Sequence, residues 1–179
     1  MTIPRLTTLA LTLMMICGSA AAGHAQDNDD PRAITARVHG TFVDKAGGLG
    51  VLSGDMTIVR FEVVSGALTA IGEIVGALAD SAGNVLGAVH QELTLPVGNV
   101  ASSCNQLRMD LAANDGDVLQ TSVHFDKEVA GFDSRDGTTP KALAVLCAAT
   151  KLLREQPTSD SVARALNDVA AAMAAKPVR

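Results

Sequence analysis

Aromatic residues are scarce in this chain of 179 residues, which has no tryptophan, no tyrosine and only four phenylalanines. Carbohydrate-binding modules and proteins that bind single-stranded nucleic acids usually present flat aromatic side chains, so both classes are disfavoured. Basic residues are in the minority, with 14 lysines and arginines against 19 aspartates and glutamates. An acidic chain repels phosphate backbones, which argues against a nucleic-acid partner.

The first 25 residues have the layout of a secretory signal peptide. Arg5 precedes an uncharged and mostly apolar run, residues 6–16, and small residues follow. Gly23 and Ala25 stand three and one positions before Gln26, as signal cleavage requires. The run is shorter than the about 20 apolar residues of a spanning helix. We therefore predict a periplasmic or extracellular protein, with no membrane span in the mature chain and a disordered lead-in over residues 26–33.

Cysteine is also scarce after this cleavage. Of the three cysteines in the chain, Cys17 lies in the signal peptide, which leaves Cys104 and Cys147. Two thiols in an oxidising compartment are the number for one disulfide bond. Two buried free thiols are the alternative, and a redox-active pair is disfavoured because there is no C-x-x-C spacing.

Residues 34–134 form a series of short runs rich in β-branched and apolar residues, separated by Gly, Asn and Asp. Apolar and polar residues alternate within several runs, which is typical of antiparallel strands. We expect strands over residues 34–43, 57–63, 67–78, 85–95, 105–111, 118–125 and 128–133, with turns at 65–66, 80–84 and 114–117. Pro96 is expected to end the fourth. About seven strands predict a β-sandwich or a small barrel.

The periodicity becomes helical beyond residue 134. Thr139 and Pro140 form a helix start, and apolar residues then recur on one face. Pro157 ends this helix, and a second amphipathic helix follows up to about residue 175. We expect a single mainly β (α+β) domain over residues 34–176, with strands in 34–134 and two packed helices in 139–175. Because Cys147 lies on the inward face of the first helix, its bond to Cys104 would attach the helices to the sheet.

Several short motifs resemble those of a group of secreted bacterial proteins of uncharacterised function. They are G-x-F ending at Phe42, F-x-V-x-x-G-x-L-x-A-x-G over residues 61–72, L-P-V at 95–97, C-x-x-L-x-x-x-L from Cys104, and L-C-A around Cys147. The resemblance covers residues 41–153, and the two spaced cysteines are its most specific part. It departs from the group at the polar residues 114–117. It implies export and supplies no catalytic residues.

No motif assigns a catalytic, metal-binding or cofactor-binding residue, and no cofactor is expected. His39, His90 and His124 are all in predicted strands, and His124 has Asp126 two positions away, but solvent-facing positions explain them better than a metal or catalytic site. Aspartates recur in the second half of the chain without the twelve-residue spacing of a calcium-binding loop. These are Asp110, Asp115, Asp117, Asp126, Asp133 and Asp136.

These observations favour a noncatalytic binding module for a small apolar ligand or an envelope protein. The third strand is apolar on both faces, with Ile71, Val75 and Ala77 opposite Leu68, Ile74 and Leu78, and so requires cover on two sides. A hydrolase using carboxylates or His124 and Asp126 is one alternative. A structural envelope or matrix protein that self-associates through sheet edges is another.

Overall fold

A computed structural model describes residues 33–134, 138–155 and 158–175. The predicted signal peptide, nearly all of the lead-in, Asp136, Pro157 and residue 176 lie outside the described residues. Eight strands precede two helices. They are β1 (Ile34–Val43), β2 (Leu49–Val64), β3 (Ala67–Ala79), β4 (Val85–Ser103), β5 (Gln106–Leu111), β6 (Asn114–Val118), β7 (Thr121–Phe125), β8 (Glu128–Asp133), α1 (Pro140–Arg154) and α2 (Ser159–Ala174).

All strand pairs are antiparallel and belong to one sheet of order β2-β3-β4-β5-β8-β1-β7-β6. β1 also pairs with β2 along its whole length, and on its other edge with β8 and β7. The sheet therefore closes on itself. The predicted mainly β fold with two C-terminal helices is confirmed, and of its two forms the structure has the barrel rather than the sandwich.

Three features of the sheet differ from the prediction. β2 begins at Leu49 rather than at residue 57. β4 continues through Pro96 to Ser103. The carbonyl of Pro96 accepts a hydrogen bond of 2.8 Å from the N–H of Ala112. In an antiparallel strand, the N–H and C=O of one residue point toward the same neighbouring strand. Proline has no N–H, so Pro96 leaves out only one hydrogen bond, at the start of the β4–β5 ladder.

The turn predicted at residues 114–117 is also wrong, because those residues lie in β6. The turn falls at Leu119 and Gln120, whose φ angles are 50° and 64°. Positive φ at both positions is what a type I′ hairpin turn requires. The register that places Val118, Val123 and Phe125 inside determines this position, since all three are fully buried.

Apolar side chains fill the interior of the closed sheet. All four phenylalanines are buried, and alternate residues of every long strand point inward with them. The largest fully buried side chains are Phe61, Phe125, Ile34, Leu52, Met56, Ile74, Leu95, Leu107, Met109, Leu111, Leu146 and Leu166. Leu146 and Leu166 belong to the helices, so the interior and the helix pair share one core.

The helices pack at one end of the sheet, which we call the helix end: the start of β1, the β2–β3 turn and the β4–β5 turn. The hydroxyls of Thr139 and Thr158 accept hydrogen bonds from the first turns of α1 and α2, which places both helix starts as N-caps. α2 contacts β2 and β3, and α1 contacts β4. The opposite end, which we call the turn end, consists of the turns at residues 44–48, 80–84 and 119–120.

Candidate functional site

The two cysteines meet at the helix end. The sulfurs of Cys104 and Cys147 are 2.09 Å apart, a bonding distance, with their Cα atoms 4.2 Å apart. Cys104 follows β4 directly, and Cys147 lies in the middle of α1. The bond thus joins the first helix to the sheet, as the sequence predicts.

A side-chain amide makes a second link at this end. β1 begins at Ile34, opposite Ile58, so β2 has no β1 partner from Val59 onward. The amide of Asn167 in α2 occupies this open edge. Its Oδ1 accepts from the N–H of Phe61 at 2.7 Å, and its Nδ2 donates to the carbonyl of Phe61 at 2.9 Å. Asn167 therefore provides both hydrogen bonds that another strand would make.

The three histidines among the described residues each lie beside a different carboxylate. His39 Nδ1 is 2.7 Å from Glu128, and His124 Nδ1 is 2.7 Å from Asp115. His90 Nε2 is 3.8 Å from Glu73. The predicted neighbour of His124, Asp126, is therefore not its hydrogen-bond partner. Within residues 33–134, 138–155 and 158–175, no group of three His, Cys, Asp or Glu side chains could hold a metal ion.

The aspartates of the second half are also dispersed. Asp110 lies 3.2 Å from Lys127, and Asp133 accepts a hydrogen bond from Gln106. Two histidine–carboxylate pairs have a separation of 2.7 Å, and His39–Glu128 is the less exposed of them. The other, His124–Asp115, contains the histidine considered for a hydrolase, and its side chains are 56% and 79% exposed. Such exposure leaves both groups in water, where they lack the dry environment of a catalytic pair.

A small apolar ligand would need space between the sheet and the helices. That region is occupied by buried side chains, among them Met56, Phe61, Leu146 and Leu166. A groove of about 710 Å³ instead runs along the helix pair, with Val145, Leu152 and several alanines beside Lys141, Arg164 and Asp168. No described helix is long and apolar enough to cross a membrane.

Large apolar side chains are exposed on the outside of the sheet near the turn end. Five of them are between 48% and 71% exposed. Strand pairing makes four of them neighbours, because Val43 is opposite Leu49, Val51 is opposite Ala79, and Ala79 is opposite Val85. The fifth, Val75, lies between Asp55 and His90 and is two positions before Ala77 on β3. We call this surface the outer apolar face. It consists of Val43, Leu49, Val51, Val75, Ala77, Ala79, Val85 and Ala88.

The prediction that β3 needs cover on two sides is met only in part. Leu68, Ile74 and Leu78 are buried on the core side. On the outer side Ile71 is buried opposite Arg60, whose guanidinium contacts Glu62 and Glu92. Val75 remains 54% exposed. The uncovered part of β3 thus belongs to the outer apolar face.

A shallow groove of about 600 Å³ borders this face. Val43 and Leu49 form one side of it, and Asp115 and His124 form another. The pairing explains the arrangement, because Thr41 lies between Val51 on β2 and His124 on β7. One row of side chains therefore passes from the apolar face to the acidic residue Asp115.

Two hydrogen-bonded aspartates hold the turns above the face. Asp44 accepts from the backbone of Ala46 and Gly48 and from both the backbone and hydroxyl of Ser81, so it joins the two turns. These bonds, the Ser81 hydroxyl first, lower the pKa of Asp44 to about 2. Hydrogen bonds from the Asn84 side chain and backbone likewise lower the pKa of Asp80. Both groups are therefore anionic at neutral and mildly acidic pH.

Comparison with protein-family models, curated proteins and solved structures finds no match to the chain. The resemblance to secreted bacterial proteins therefore stays an expectation from short motifs. The candidate site is defined by this molecule's own surface, namely the outer apolar face and its neighbouring groove.

Proposed function

We propose that the protein is an exported, noncatalytic binding module that uses its outer apolar face to bind a protein partner. The supporting observation is the exposure of Val43, Leu49, Val51, Val75 and Val85 on adjacent strands. Monomeric proteins seldom leave such side chains contiguous, and patches of several hundred Å² commonly mark interaction sites. The flat, outward-facing geometry suits a macromolecular surface better than a small molecule, which binds in concave sites.

The alternatives have weaker support. A small apolar ligand is disfavoured because side chains fill the space beneath the helices. Hydrolysis is disfavoured because His124 and Asp115 are exposed on a shallow groove. Self-association through sheet edges is disfavoured because six strands form a closed ring, and the edge left free on β6 is only five residues long.

Site-specific photo-crosslinking in the cells that make the protein tests this proposal. A photoreactive amino acid at Val51 should give a discrete adduct with another protein. The same amino acid at Val129 is the matched control, because this valine has similar exposure, 54% against 48%, and lies outside the face on β8. Absence of an adduct at Val51, or the same adduct at Val129, would contradict the proposed binding surface.

Export is tested separately. Cell fractionation followed by N-terminal sequencing should find the mature chain outside the cytoplasm, beginning at Gln26. An intact Met1 on cytoplasmic protein would overturn export. That result would leave the crosslinking experiment free to decide whether the face binds.

A further inference from the structure

Acidic residues border the outer apolar face on two sides. Asp44 and Asp80 occupy the turns above it. Asp115 stands across His124 from the face, and the N–H of Asp126 donates to the carbonyl of His39, the residue two positions before Thr41. Lys45 is the one basic residue in those two turns.

On the side of the face away from the turns, the neighbouring arginine is already paired with a carboxylate. Arg37 approaches Asp55 at 4.0 Å in the row that also contains Val75 and His90. The acidic border therefore has an excess of negative charge close to an apolar surface. Such a field attracts a partner that carries positive charge beside apolar side chains.

We propose that the outer apolar face binds a cationic amphipathic polypeptide segment, whose apolar side covers Val43, Leu49 and Val51 while its lysines or arginines approach Asp115 and Asp126. This inference rests on the proposed binding function and names its partner class. A second copy of the chain is a poorer occupant. Its symmetric interface would bring two identical acidic borders together.

Three synthetic peptides test the partner chemistry. The first is an amphipathic helical peptide of Leu and Lys, the second has Glu in place of Lys, and the third has the Leu and Lys order scrambled so that no apolar side exists. We expect the Leu/Lys peptide to bind at least about tenfold more tightly than either of the others by calorimetry. Its affinity should fall as NaCl is added, because salt screens exposed charges.

Paired variants locate the binding. Replacing two exposed valines of the face, Val43→Thr with Val51→Thr, should weaken the Leu/Lys peptide about tenfold, since two apolar contacts are lost. The matched control replaces two valines outside the face, Val64→Thr with Val129→Thr, and should bind as the unmodified protein does. Asp115→Asn with Asp126→Asn should reduce both the affinity and its salt dependence.

Each outcome decides the inference. No binding, equal binding of the scrambled peptide, or equal loss in both valine pairs overturns it. Preference for the Leu/Glu peptide also overturns it, while a crosslink at Val51 would still support the broader proposed function. Concentration-dependent dimerisation that the Val43→Thr, Val51→Thr pair abolishes would identify a second copy as the occupant and overturn the cationic partner.

Discussion

The helix end and the turn end of the closed sheet differ in how their surfaces are covered. At the helix end, two amphipathic helices cover the opening, a disulfide bond joins one of them to β4, and Asn167 joins the other to β2. At the turn end, short turns complete the strands and the adjoining outer surface is left with exposed valines and leucine. The links that hold the helices and the surface proposed for binding thus lie toward opposite ends of the sheet.

Two side-chain amides, one at each end of the sheet, show a similar difference between the two ends. Extending the β4–β5 register would place Gln91 opposite Asp117, but no described ladder joins β4 to β6. The Gln91 side chain spans this gap: its Nε2 donates to the Asp117 carbonyl at 2.9 Å, and its Oε1 accepts from the Leu119 N–H at 3.4 Å. The bonds of Asn167, at 2.7 and 2.9 Å, are in a partly buried position, whereas those of Gln91 are exposed. Similar chemistry should therefore contribute less at the turn end.

Removal of the disulfide should have the largest effect. Cys104→Ser with Cys147→Ser opens a link between positions 43 apart. We expect the free energy of unfolding to fall by about 3–4 kcal/mol, because the unfolded chain gains the freedom of a loop of that length. Urea unfolding of the double variant, compared with the oxidised protein, measures this loss. Equal midpoints would show that α1 does not depend on the bond.

Asn167→Ala should have the next largest effect. It removes both hydrogen bonds to Phe61 and leaves the N–H and C=O of an edge residue without a protein partner. We expect a loss of about 1–3 kcal/mol in the free energy of unfolding. Asp168→Ala, an exposed neighbour on the same helix, is the control and should be near neutral. Equal losses would mean that the amide contacts with Phe61 are not responsible, because alanine is the better helix former at both positions.

Asn167 also shows where sequence-based prediction ends. Strand alternation and helical periodicity predict most elements, because they are properties of neighbouring residues. Thr139 and Thr158 are recognisable caps for the same reason. The contact of Asn167 with Phe61 joins residues 106 positions apart. No local sequence pattern indicates that an asparagine in a helix will make such a contact. The turn at Leu119 and Gln120 is hidden similarly, because burial of Phe125 outweighs the local preference for Asn-Asp-Gly-Asp.

The candidate site is predictable only in part. The sequence shows that β3 is apolar on both sides, and Val75 and Ala77 do belong to the outer apolar face. It cannot show that the helices pack at the end of the sheet and leave this side exposed, since that depends on closure through the β1–β2 pairing. Nor does it pair His124 with Asp115, because these residues are on different strands.

Gln91→Ala should have a smaller effect than Asn167→Ala. Water can replace both of its exposed hydrogen bonds, so we expect a loss below about 1 kcal/mol. Hydrogen exchange should be faster at the amides of β6 and β7, which lose their side-chain link to β4. Thr94→Ala, exposed on the same strand, is the control. A loss as large as that of Asn167→Ala would contradict the contrast between the two ends.

Asp44→Asn should have the smallest effect, and one that depends on pH. The pKa of Asp44 is lowered from 3.8 to about 2 in the folded protein. A carboxyl with a depressed folded pKa stabilises the fold above its unfolded pKa, and that contribution is lost as the pH falls through the folded value. The melting temperature of the unmodified protein should therefore exceed that of the variant at pH 6. The difference should shrink between pH 3.8 and about 2.

Ser81→Ala separates the local cause from the general effect of acid. The Ser81 hydroxyl makes the largest contribution to the lowered pKa of Asp44, while the backbone bonds from Ala46 and Gly48 remain in this variant. Its pH-dependent loss should accordingly be a fraction of that seen with Asp44→Asn. A melting-temperature difference for Asp44→Asn that stays constant down to pH 2 would instead mean that the turns depend on the shape of the side chain and not on its charge.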